Sequence, residues 1–145
     1  MKNTMTAIYL VIAGFLLLVI GGAILLAPHA FHGGNGVALG DNPNLLSEIR
    51  APGGLLASSG IVILIGAFRT QWRLRSVQLT TLIYGSFGVA RLVSMALDGV
   101  PSASIVGATL LELIVALVGL VMLWQWRPAS AAVTAPSPLE APVVS

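Results

Sequence analysis

Residues 7–27 carry no charged side chain, and three further apolar stretches follow before the chain turns to proline, alanine and serine at its C-terminal end. A helix needs ~20 predominantly apolar residues to cross the hydrocarbon core of a bilayer, so this pattern constrains the fold more than any single motif. Backbone N–H and C=O groups find no water there, which leaves helices or a closed barrel, and long runs without alternation select helices. The expected fold class is all-α: an integral membrane four-helix bundle with helices near 7–27, 43–68, 76–97 and 102–126. These form one domain, 1–127, and the remainder, 128–145, is expected to be a disordered tail. Composition agrees, with 57% hydrophobic and 8% charged residues and a mean hydropathy of +0.96, where soluble domains carry about 25% charge.

Local signals set the boundaries. The first run is long for a signal peptide and Ala27-Pro28-His29-Ala30 is a poor cleavage site, so a retained helix is expected, ended by Pro28, Gly33, Gly34 and Gly36. Asp41-Asn42-Pro43 reads as a cap with proline in the first turn of the second helix. Pro52 inside that helix removes a donor from the Glu48 carbonyl and favours a kink, and Gly53 and Gly54 either ease it or admit a neighbouring helix. Asp98-Gly99-Val100-Pro101 makes a tight reversal, because glycine stops the helix and proline cannot continue it. Gly54/Ser58 and Ala103/Gly107, each four apart, are expected to be packing faces within the bundle.

Against this apolar background stand Glu48, Arg50, Arg91, Asp98 and Glu112. A charge within hydrocarbon costs at least ~2.5–3.5 kcal/mol, so each needs a partner, water or a purpose. Tyr84, Arg91, Ser94 and Asp98 share one face of the third helix. Arg91 then lies ~10 Å below the tight turn and Glu112 ~15 Å down the next helix, so Arg91 and Glu112 are the expected ion pair. Glu48 and Arg50 are two residues apart and point in different directions; Glu48 is expected toward Arg91, leaving Arg50 for Asp98 or a ligand anion. Two readings of the cluster stand side by side: a salt-bridge network that fixes helix register, and a site for a small amphipathic or anionic ligand.

Other signals are weaker. His29, His32 and Asp41 include metal-ligand types, but the spacing is loose and the loop glycine-rich, so no metal site is expected. Gly33-Gly34-Asn35-Gly36 lacks the lysine and strand of a phosphate cradle, and no Ser/His/Asp pattern is present. With no cysteine there is no disulfide, thiolate metal site or Cys nucleophile. No cofactor is expected, and the net charge of +2 rests on too few residues for a nucleic-acid surface.

At Glu48-Ile-Arg50-Ala-Pro-Gly53-Gly54, Gly88-Val-Ala-Arg91-Leu-Val-Ser94, Asp98-Gly99-Val-Pro101 and Leu111-Glu112-Leu113 the chain resembles small bacterial membrane proteins of the domain of unknown function 4345 type. The likeness runs in order from about Ala7 to Arg127. It implies a four-helix integral membrane domain whose motif positions are Glu48, Arg50, Gly54, Arg91, Asp98, Gly99 and Glu112. A bulkier residue is the expectation for the family where Pro52 stands. The family carries no agreed activity.

The leading expectation is a non-enzymatic protein of the bacterial inner membrane. It would bind a lipid-like or small anionic ligand, or a partner subunit, through a polar pocket opening outward, with Arg50 and Arg91 holding the anion. Proton-coupled transport through Glu112 in a homodimer, and a membrane enzyme using Glu48, Asp98 or Glu112 as acid and base, are the alternatives. Lys2, Arg69, Arg73, Arg75 and Arg127 fall on one side and Asp41 and Asp98 on the other, so both termini are expected in the cytoplasm. Trp124 and Trp126 beside Arg127 form the expected interfacial anchor. Tags at the two ends should both be inaccessible from outside intact cells; a C-terminal tag labelled from outside would overturn this orientation.

Overall fold

In a computed structural model the chain is described from residue 2 to residue 126, with the backbone alone for Lys2 and Asn3. Arg127 and the 128–145 tail lie outside the described residues. The elements are α1 (Lys2–Leu26), a short α2 (Pro28–Gly33), α3 (Pro43–Phe68), a 3-10 turn (Thr70–Trp72), α4 (Arg73–Asp98) and α5 (Ala103–Gln125). α1, α3, α4 (with the 3-10 turn) and α5 are long and apolar enough to cross a membrane. The short α2 departs from the expected loop: Pro28 occupies its first turn, where a missing N–H costs nothing, and the stop falls at Gly33 rather than at the proline. At the start of α3, Asn42 accepts from the Asn44 amide at 2.9 Å with Pro43 in the first turn, as the cap signal implies. α3 runs through Pro52 without a break.

The helices pair as two antiparallel hairpins, α1 with α3 and α4 with α5, because small residues let the backbones approach. Between α1 and α3 the seam is built on Gly14, Gly21, Gly53 and Gly60. A Cβ at Gly60 would sit 2.6 Å from the Leu18 nitrogen and one at Gly53 2.8 Å from the Leu25 nitrogen, and a Cβ at Gly21 would collide with the Ala57 nitrogen. Between α4 and α5, Gly88 lies against Leu113, Gly85 against Ala116, and Gly119 against Thr81. A Cβ at Gly54 or at Gly107 would meet nothing within 4 Å, and Ser58 and Ala103 are not buried. The two small pairs expected inside the bundle thus face outward. A four-residue spacing marks a face without saying which way it points.

Most of the hydrogen bonds seen between the hairpins lie from one end to mid-length. At the end carrying Arg69 and Arg75, here the basic end, Gly66 packs on Ser76, whose hydroxyl donates to the Val62 carbonyl at 3.3 Å. Arg73 is buried rather than exposed with the rest of the basic turn, and donates to the Ala67 carbonyl at 3.1 Å, among the last carbonyls of α3, which have no helical donor. Toward mid-length, Tyr9 donates to the Val115 carbonyl at 2.9 Å and Tyr84 to the Ala13 carbonyl at 2.8 Å. Leu10, Leu17, Leu56, Ile63, Val77 and Tyr84 fill the core. At the opposite end, here the loop end, the remaining tie is the Ser104 hydroxyl donating to Asn35 Oδ1 at 2.9 Å, which holds the loop after α2 to the start of α5. The tight reversal there contains Gly99 at φ +99°, a conformation that a side chain would strain.

The solvation pattern is inverted relative to a water-soluble bundle. Ile8, Phe15, Leu55, Leu82, Leu110 and Leu117 are more than half exposed, while Ser59, Ser76, Thr80 and Thr109 are buried. Thr80 and Thr109 satisfy their hydroxyls locally, each donating to the carbonyl four residues back, while Ser76 bonds across to α3.

Adjacent glycines separate packing from helix propensity. Gly21→Ala should lower the unfolding free energy in detergent by about 1–3 kcal/mol through overpacking at Ala57, whereas Gly22→Ala, with open space around it, should be neutral or stabilising by up to ~1 kcal/mol. Equal effects of the two substitutions would contradict the seam.

Candidate functional site

Where the hairpins part, they enclose a cavity of about 300 Å³ toward the loop end. Its walls come from all four long helices: Leu17, Ile20 and Ile24 of α1, Pro52 and Leu56 of α3, Ile83 and Phe87 of α4, Leu111 of α5. Phe31 and His32 of α2 close over it, their rings edge to face at a centroid distance of 5.4 Å. The polar lining is His32, Glu48, Tyr84, Arg91 and Glu112. Few polar groups set in apolar walls is the usual character of a small-molecule site, and this volume lies at the small end of the ~300–1,000 Å³ range.

Arg91 and Glu112 meet as their depths imply. The Arg91 Nε donates to both carboxylate oxygens of Glu112, at 3.0 and 3.2 Å. Gly88, one turn before Arg91, brings α4 against Leu113 and so sets the separation that lets the two side chains span the seam. The side chains retain 34% and 14% exposure, so the pair is only partly withdrawn from its surroundings. Tyr84, two turns deeper, is committed to the Ala13 carbonyl and belongs to the floor with Leu17 and Leu56.

The structure divides the expected cluster. Glu48 lines the cavity near its loop end but makes no ion pair with Arg91 among the described residues. Arg50 does not line it; it borders a shallow outer groove with Leu25, Leu46, Ser47 and Gly54. Nor do Asp98 and Ser94, which bond to each other along α4 at 2.9 Å, exposed. The expected Arg50–Asp98 pairing is absent among the described residues. Two residues apart on one continuous helix, Glu48 and Arg50 diverge, one lining the cavity and the other the outer groove. Pro52 and Gly53 belong to this region as cavity wall and seam; Gly99 and Pro101 shape the neighbouring reversal.

In the sequence His32 is a candidate only as a metal ligand. His29 pairs with Asp41 at 3.6 Å on the surface, and His32 turns into the cavity, so the three residues do not meet. Among the described residues no group of three His, Cys, Asp or Glu could hold a metal. The His32 Nε2 is shielded from solvent without a hydrogen-bond partner. The signal for its placement is the proline-initiated Pro28-His29-Ala30-Phe31-His32 segment, which puts Phe31 and His32 side by side at the mouth.

Fold and site together define an all-α protein with four helices long enough to span a membrane and one partly charged cavity between its hairpins. Over residues 5–124 the chain matches the family described as Domain of unknown function (DUF4345), and it belongs to that family. Neither the curated proteins nor the solved structures contain a match.

Removing one side of the ion pair separates its roles. Arg91→Met should destabilise by about 1.5 kcal/mol, at the lower end for a charged hydrogen bond because both side chains keep some exposure. Arg91→Met/Glu112→Leu should recover most of that loss, since no unpaired charge remains. A double-mutant cycle in denaturant with coupling below ~0.5 kcal/mol would contradict a structural pair.

Proposed function

We propose that this is a multi-pass protein of the bacterial inner (cytoplasmic) membrane, with cytoplasmic termini, that takes a lipid-like amphipathic molecule into the cavity between its hairpins. The cavity carries the reading. It lies toward the loop end, where the tie seen between the hairpins is the bond from Ser104 to Asn35, has apolar walls, and holds its charged groups in one part of the lining. An amphiphile presents the same division of body and head. The outward apolar faces supply the lipid contact, and Trp72, Trp124 and Trp126, all exposed at the basic end, suit a membrane–water boundary.

This reading accounts for the cluster better than a register device alone. A register pin needs the Arg91–Glu112 pair but neither the space beside it nor Glu48 and His32 facing that space. A membrane partner on the outward Gly54 or Gly107 faces, including a second copy of the chain, is compatible with uptake. Transport has weaker support: below the cavity the path toward the basic end is filled by Leu10, Leu17, Ile63 and Val77.

Filling the cavity tests uptake. Ala108 lines it from α5, and Ala108→Phe should leave the fold intact while reducing the thermal stabilisation given by a bound single-chain amphiphile by a large fraction. Unchanged stabilisation in this variant would place binding elsewhere on the protein.

A further inference from the structure

The acceptors of the cavity lining outnumber its cations, and they bear on the head chemistry of its occupant. Two carboxylates, Glu48 and Glu112, stand against one guanidinium, Arg91, in the lining. The Arg91 Nε is already engaged by Glu112, and the Tyr84 hydroxyl by Ala13. Arg50, the second cation that an anion would need, borders a different groove.

Three polar groups remain at the loop end. The Glu48 carboxylate makes no ion pair among the described residues. The His32 Nε2 is shielded and has no partner, and a hydroxyl, which both donates and accepts, can satisfy it. Pro52, itself in the lining, has no N–H to give the Glu48 carbonyl four residues before it, so that oxygen lacks its usual helical donor.

We infer that the cavity selects an amphiphile whose head donates hydrogen bonds, an ammonium or a hydroxyl, over one whose head is an anion. The inference rests on the proposed uptake of an amphipathic molecule and names the class of that molecule. The body lies among Ile20, Leu56 and Phe87, and the head meets Glu48 and His32 beneath α2. An ammonium gains a charge-assisted hydrogen bond at Glu48. A hydroxyl gains the neutral equivalent and can also satisfy His32. A carboxylate or phosphate head meets two like charges and loses the solvation it had outside.

The test uses the full chain in phosphatidylcholine nanodiscs, titrated with dodecylamine, dodecanol and dodecanoate and read as shifts in melting temperature against empty-nanodisc partitioning. The wild type should bind the amine and the alcohol more tightly than the carboxylate. Glu48→Gln, at an exposed position where the fold should persist, should weaken the amine by about tenfold and leave the alcohol nearly unchanged. His32→Leu should weaken the alcohol. Dodecanoate binding as tightly as the amine, or an amine affinity untouched by Glu48→Gln, would overturn the head selectivity while leaving uptake standing. Failure of all three probes to bind would overturn uptake and selectivity together.

Discussion

The cavity lies where the fastening between the two hairpins thins to the hydrogen bond from Ser104 to Asn35. One hairpin is held by direct backbone approach at Gly14, Gly21, Gly53 and Gly60, and the other by side chains seated on Gly85, Gly88 and Gly119. Between hairpins the fastening is sparse and polar: Ser76 to Val62, Arg73 to Ala67, Tyr9 to Val115 and Tyr84 to Ala13. All of these lie from the basic end to mid-length. Beyond Tyr84 the side chains across the gap are Phe87, Ile20 and Ile24, which line space instead of filling it. A bound molecule in that gap would supply contacts that the protein does not make with itself, which is the condition for ligand-linked stability.

The charged pair sits where this arrangement changes. Arg91 and Glu112 belong to the same hairpin, so their bond strengthens the α4–α5 seam and does nothing to close the gap to α1 and α3. A pair that bridged the hairpins would have sealed the cavity. On the proposed membrane reading, the same bond meets the cost of carrying charge below the interface, while the remaining exposure of Arg91 keeps its outer nitrogens near the cavity space. The loop after α2, joined to α5 through Asn35 and Ser104, holds α2 where Phe31 and His32 line the cavity.

Much of this is legible in the sequence where a feature depends on local chemistry. Apolar run length places the four long helices, Asn42-Pro43 places the start of α3, and Gly99 marks the reversal, each through a constraint acting within a few residues. Arg91 and Glu112 can be paired because a short turn fixes two neighbouring helices at comparable depths. Facing across non-adjacent elements is not legible. The glycines that form the α1–α3 seam recur seven residues apart, Gly14 with Gly21 and Gly53 with Gly60, a spacing that competes in the sequence with Gly54/Ser58 and Ala103/Gly107. Which face turns inward depends on helix rotation, which no single helix encodes. Depth alone groups Arg50 and Asp98 with the cavity, and rotation puts both outside it. His32 enters the cavity because the six residues from Pro28 fold as a helix instead of a loop.

A structure determined in a lipid bilayer, at a resolution that shows side chains and bound lipid, tests the central claim most directly. The account predicts elongated density between the hairpins, running from the Tyr84 level to the Phe31 and His32 cover, with its polar end against Glu48. Hairpins closed onto each other along their whole length, with Phe87 packed on Ile20 and Ile24 and no space between them, would contradict it.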